Sequence, residues 1–204
     1  MSLPVATYKC TACQLNCREP VTWGYRYYLC ATIKVSMSVT TGWCHCCDGI
    51  AAIEVLPTAI REAELQKEVE VMQMRLNEEH IAPISKTRWW QWRGRKTILQ
   101  SRLKFEIKWA EERLAEYRLR RATLSNRTSL ARCLRCSSEN CASLPPHEID
   151  YFDPESVPSP VGFKHPGCGG DLLVMYDGTR LSLVMSEKAY DFEGRRLEQD
   201  FAPG

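Results

Sequence analysis

Four short pairs of soft metal donors recur along this chain: Cys10-Thr11-Ala12-Cys13, Cys44-His45-Cys46-Cys47, Cys133-Leu134-Arg135-Cys136 and His165-Pro166-Gly167-Cys168. Donors at i and i+3 close a tight turn around one ion, and two such pairs supply the four ligands of a structural zinc site. The first two pairs are separated by 30 residues (14–43) and the last two by 28 (137–164). Near-equal spacing predicts two zinc ions, each held by neighbouring pairs. One site takes Cys10, Cys13, Cys44 and Cys47; the other takes Cys133, Cys136, His165 and Cys168. Cys46 and His45 are alternative ligands inside the second pair, but 44/47 repeats the spacing of the first and is preferred.

Compartment bears on whether these cysteines hold metal or disulfides. The first 30 residues lack a basic start followed by an apolar core, so no secretory signal is expected. No run approaches the roughly 20 apolar residues of a membrane span. A cytoplasmic, reducing location follows as the expectation, and there clustered cysteines hold metal more often than disulfides. The odd count of eleven cysteines points the same way.

Three segments follow from pattern. Residues 1–57 read as a first metal module, with strands over 22–28 and 32–40; Ile33, Val35, Met37 and Val39 alternate along the second. Residues 58–124 read as two helices. Thr58 caps the first, which carries Leu65, Val69, Met72 and Leu76 on one face and ends near Pro83. The second starts near Ser85 and carries Leu103, Ile107, Ala110, Leu114, Tyr117 and Leu124 at coiled-coil-like spacing. The short connection at 82–87 predicts an antiparallel hairpin, the longer second helix overhanging to receive the first metal module on Leu114, Tyr117 and Leu124. Residues 125–204 read as a last module: a polar linker (125–132), a proline-rich loop between its ligand pairs (143–162), a hairpin turning at Asp177-Gly178, a further strand near 189–192 and a frayed tail from Gln199.

In ligand spacing, and in the Gly-Cys-Gly-Gly of the last pair, residues 133–185 resemble the zinc-ribbon class, as residues 10–55 do less fully. The resemblance implies two small β modules, each with knuckles at hairpin ends, and leaves function open. The fold class expected is therefore α+β, two zinc-ribbon-like modules joined by a helical hairpin.

Charge is uneven. Residues 58–147 hold 18 basic and 11 acidic side chains, and residues 148–204 hold 5 and 11. From Lys86 to Lys104 there are seven basic residues and no acidic one, interleaved with tryptophans. Arg88, Trp89, Trp90, Trp92, Arg93, Arg95 and Lys96 are the candidate partner-binding residues. Such a stretch can anchor a protein interface or stack on bases and hold phosphates; it can equally pair with the glutamate-rich first helix. A second basic run, Arg118, Arg120, Arg121, Arg127, Arg132 and Arg135, adds to the nucleic-acid alternative, although a solvated helix face accounts for it as well and the acidic tail could neutralise it. No phosphate loop, His-Glu-x-x-His or deaminase signature is present. His147 with Glu148, Asp150 and Asp153 could hold a further ion, although loop solvation explains them as well. The expectation is a non-enzymatic zinc-binding adaptor for a protein partner, with nucleic-acid binding as the alternative.

Overall fold

The computed structural model describes residues 2–18, 21–81, 89–147, 149, 151, 153, 157–182 and 187–197, with backbone alone for 2, 3, 79–81 and 89–99. Six strands come first: β1 (Ser2–Cys10), β2 (Asn16–Cys17), β3 (Tyr25–Cys30), β4 (Ile33–Ser36), β5 (Val39–Cys44) and β6 (Gly49–Glu54). Helices α1 (Ala59–Ile81) and α2 (Trp89–Thr123) follow. The chain then returns to strands β7 (Cys141–Ser143), β8 (Ser159–Lys164), β9 (Asp171–Ser182) and β10 (Glu187–Tyr190). The described residues are thus α+β, with three small sheets ordered β2-β1-β9-β8, β10-β3-β4 and β6-β5-β7.

The division of the chain differs from the modular expectation. Met1–Leu56 and Asn126–Gly204 form one compact unit, and Pro57–Ser125 forms the other. The two ends, expected as separate modules, share every sheet. β1 pairs with β9 from Ser2↔Ser182 to Cys10↔Leu172, β10 pairs with β3 in parallel, and β7 pairs with β5. The reason lies in burial. Val5, Thr7 and Tyr8 of β1 and Leu172, Val174 and Tyr176 of β9 are all buried, so neither strand could leave the other without exposing apolar surface.

Asp177-Gly178 does not turn a hairpin. β9 runs through it as one strand of twelve residues, bulged where Val5 alone faces residues 177–179. Gly178 takes φ 81°, which glycine adopts without a Cβ penalty. Asp177 fixes the bulge by accepting from Thr7 Oγ1 and from the Thr179 amide, each at 3.1 Å, and by pairing with Arg18 at 2.7 Å. The turn chemistry was legible; a pairing edge as long as β1 converts it into a bulge.

Residues 32–40 also divide, into β4 and β5, which belong to different sheets. Val35 and Met37 are buried as the alternation requires, while Ile33 is exposed. The proline-rich loop gives its last residues to edge strand β8, where Pro160 sits without needing to donate. The main core gathers Tyr8, Trp43, Ile50, Leu144, Val161, Leu172 and Val174.

The segment read as a polar linker is anchored by a buried ion pair. Arg127 reaches Glu54 through both guanidinium nitrogens, at 2.5 and 2.6 Å, with side chains 2% and 0% exposed. Tyr28 Oη and the Arg132 amide also donate to Glu54, and Arg127 donates to Ser129 Oγ and to the carbonyls of Leu130 and Phe192. This joins the last strand before the helices to the first segment after them.

In the second unit Thr58 caps α1: its Oγ1 accepts from the Arg61 amide at 3.2 Å. Leu65 and Val69 pack with Ala110 and Leu114, flanked by Met72 and Tyr117. Leu114 and Tyr117, expected to receive a metal module, are therefore covered by α1. Polar pairs climb α1 as they descend α2: Glu62 with Arg118 and Arg121, Glu68 with Arg113, Gln73 with Glu111. No described helix is long and apolar enough to cross a membrane. The connection at 82–87 and the tail from Gln199 lie outside the described residues.

Candidate metal centres

All four donor pairs sit in turns of one design. The amide of the first donor is closed against residue i+5: Cys10 N on Leu15 O at 3.3 Å, Cys133 N on Ser138 O at 2.9 Å, His165 N on Gly170 O at 2.8 Å. Cys44 likewise faces Gly49 across β5 and β6. In three turns the residue after the second donor is left-handed: Asp48 at φ 47°, Ser137 at 60° and Gly169 at 74°. Side chains tolerate that conformation poorly. It folds the chain back so that donors i and i+3 point into one space.

The turns meet in a different combination from the one their spacing predicts. Cys10 and Cys13 join His165 and Cys168, while Cys44 and Cys47 join Cys133 and Cys136. The eight residues are those singled out in the sequence; their partners are exchanged. The cause is strand pairing. β1 and β9 bring the tips of two hairpins together at one end of their sheet, and β7 beside β5 brings the 133–136 turn to 44–47.

In each cluster the donor atoms lie within 4.8 Å of one another. In the first, Cys10 Sγ is 3.4 Å from Cys168 Sγ, and His165 Nδ1 is 3.3 Å from Cys13 Sγ and 3.1 Å from Cys168 Sγ. In the second, Cys44 Sγ and Cys136 Sγ are 3.5 Å apart, and Cys47 Sγ and Cys133 Sγ 3.9 Å. A tetrahedral ion bound at about 2.3 Å to sulfur and about 2.0 Å to nitrogen has edges of about 3.5–3.8 Å. Disulfides need about 2.05 Å, and all eleven cysteines are free. The spacing fits a four-coordinate ion in both clusters.

The polar surroundings fit as well. The Ala12 amide donates to Cys10 Sγ and the Cys47 amide to Cys44 Sγ, both at 3.4 Å; such bonds temper thiolate charge. Gly170 makes room for the first cluster, since a Cβ there would lie 2.6 Å from Cys10 Sγ and 2.7 Å from Ala12 Cβ. The two clusters differ in setting. Cys13 and Cys168 are exposed, whereas Cys44 and Cys133 are buried. The Ala12 amide draws the Cys10 thiol down to about 6, giving a preformed thiolate. Burial pushes Cys133 up to about 11 and raises Cys47 as well, so an ion must displace protons there.

The neighbouring candidates have other partners. Cys46 Sγ meets Ser138 Oγ at 3.1 Å, and the exposed His45 gives its amide to Asn140. Cys141 packs against the buried side of the second cluster. His147 binds Tyr8 Oη and the Pro145 carbonyl; Glu148 and Asp150 lie outside the described residues. Arg88 lies outside them too, and of Trp89, Trp90, Trp92, Arg93, Arg95 and Lys96 only the backbone, within α2, is described. Of the second basic run, Arg118 and Arg121 pair with Glu62, Arg120 with Glu116, Arg127 with Glu54 and Arg132 with Glu139.

One residue beside the centres, Trp43, carried no sequence signal. Trp43 packs its buried indole on the His165 imidazole, ring centroids 4.8 Å apart. No family model, curated protein or solved structure matches the chain.

Proposed function

We propose that the chain is a non-enzymatic adaptor or accessory protein whose strand-rich unit is held by two structural zinc ions. The observation that carries this reading is the closure of both clusters: each supplies four protein donors. Catalytic zinc keeps a position open for water. Thiolate-rich tetrahedral sets favour zinc or iron–sulfur chemistry, and a Cys₃His set beside a Cys₄ set suits two separate zinc ions. The knuckles at hairpin tips support a zinc-ribbon-like description, with each site assembled from both ends of the chain. Eleven free thiols suit a reducing, cytoplasmic location.

The helices, read as an antiparallel hairpin, offer the surface for a protein partner. Phe105 and Trp109 stand one turn apart on α2, 71% and 56% exposed, with the Arg113 guanidinium over the Trp109 ring. Exposed aromatics at helical spacing favour an interface. Internal pairing of the 118–132 arginines weighs against nucleic acid on that run.

X-ray absorption on the purified chain tests the metal reading. Two zinc ions per chain are expected, with only sulfur and nitrogen in the inner sphere; an exchangeable oxygen ligand would place the chain among metalloenzymes. Titration with DNA and RNA across salt concentrations tests the partner class. A steep fall of affinity with salt, the signature of released counterions, would favour nucleic acid over protein.

A further inference from the structure

The two metal centres meet at consecutive residues of one strand. β5 ends in Trp43 and Cys44, whose side chains leave opposite faces of the strand. Cys44 is a donor of the Cys₄ cluster and packs with Ala51, Ile53 and Cys133. Trp43 lies in the other core group, among Tyr8, Val161, Leu172 and Val174 of the strands that carry the Cys₃His turns. Its indole rests on the imidazole of His165 at an interplanar angle of 65°. The strand cannot slip without disturbing both sites, because Cys44 is fixed on both sides by Gly49 and Cys141. The indole Nε1 is buried with no hydrogen-bond partner among the described residues, so its ring contact, not its polar atom, ties Trp43 to the site.

We propose that the centres load cooperatively, filling of one raising the affinity of the other, with Trp43 transmitting the effect. The proposal rests on both clusters holding metal. An ion at the Cys₄ cluster fixes Cys44, hence the indole, hence the ring orientation that aims His165 Nδ1 at the Cys₃His site. Without that ion the four sulfurs have no common partner, and strand pairing alone holds the end of β5. An ion at the Cys₃His site fixes the imidazole and acts in reverse. Coupling between sites is reciprocal by thermodynamic necessity. An edge-to-face ring contact of ordinary strength corresponds to a coupling factor of roughly 3- to 10-fold.

The test is cobalt(II) titration of the full chain against a competing chelator, since Cys₃His and Cys₄ sites absorb differently. Site affinities are compared between the parent, a C133S/C136S variant and a C10S/C13S variant, with amide spectra confirming the fold. Each surviving site is expected to weaken by the same factor of roughly 3 to 10. Trp43→Phe keeps a ring and should keep the coupling; Trp43→Leu should bring the factor to about 1, each site's affinity being compared within Trp43→Leu with and without the other site. His165→Cys removes the same contact from the opposite side and retains four donors; with two all-sulfur sites, its total uptake should equal the sum of the single-site titrations made in the C133S/C136S and C10S/C13S backgrounds, with no coupling left over. Equal affinities with and without the second site, in folded protein, would overturn the proposal. So would coupling that survives both Trp43→Leu and His165→Cys. Failure of both clusters to take up cobalt would instead overturn the metal reading, and the coupling with it.

Discussion

Replacing Arg127 by alanine strips the buried Glu54 carboxylate of its only described ion-pair partner. Glu54 is left with the Tyr28 hydroxyl and the Arg132 amide, and its side chain has no exposure to water. Removing one member of a buried pair costs about 3–5 kcal/mol, most of it the desolvation of the charge left behind. With a urea dependence of about 2 kcal/mol per molar, the unfolding midpoint should fall by roughly 2 M. The measurement is urea unfolding followed by far-ultraviolet dichroism at one fixed concentration of free zinc, because any metal that binds shifts apparent stability by mass action. A Glu54→Leu/Arg127→Met double variant removes both charges and should recover most of the loss. The reasoning fails if Arg127→Ala costs under about 1 kcal/mol, or if the double variant is as unstable as the sum of its singles.

Further expectations follow from the same geometry. The Cys10→Ser/Cys13→Ser variant should remove the ion with the imidazole ligand and leave an all-sulfur cobalt spectrum; loss of an all-sulfur site instead would restore the pairing of sequence neighbours. Gly170→Ala should weaken the Cys₃His site selectively, since its methyl would enter the space of Cys10 Sγ and the 10–13 turn; chelator competition reads this directly. Leu65→Ala should cost the helical unit about 2–5 kcal/mol by emptying its packed seam, seen in thermal unfolding of the helical signal. Metal affinity should rise with pH at both sites, more steeply at the Cys₄ site between pH 7 and 9. There Cys133 and Cys47 both hold protons that an ion must displace, whereas at the other site Cys168 is raised but Cys10 is already ionised above about 6. For Cys10 the sign is that of a depressed group: its ionised form favours the native turn above its unfolded value near 9, and that advantage is lost as pH falls through about 6. Calorimetry in buffers of different ionisation enthalpy counts the protons released.

Local chemistry was legible in the sequence wherever a signal spans a few residues. The i, i+3 donor pairs, the Thr58 cap and the Leu65/Val69 and Ala110/Leu114 seam all stand where pattern puts them, whereas the turn expected at Asp177-Gly178 is a bulge. Long-range choices were not legible. Four donor pairs can combine in three ways, and spacing favours neighbours only through loop closure. Closing Cys13 to His165, across a segment about five times longer than that from Cys13 to Cys44, costs only about 1–2 kcal/mol more. A structural zinc supplies about 10–16 kcal/mol, so entropy cannot select the pairing; the match between β1 and β9 does. Arg127 was hidden for a related reason. Within Ser-Asn-Arg-Thr-Ser it looks solvated, and only Glu54, 73 residues earlier, buries it.

The exchanged pairing bears on how the protein is made. Synthesis delivers Cys10, Cys13, Cys44 and Cys47 early, yet the first site waits for His165 and Cys168, and β1 for the partner strand that follows them. Only the helical segment is complete before the chain turns back, so on the ribosome it is free to form first. Cys44 and Cys47 stay bare thiols until about two-thirds of the chain has emerged, and Cys10 and Cys13 until about the last fifth begins. Their protection during those seconds depends on the cell's reductants, not on the fold they will later support.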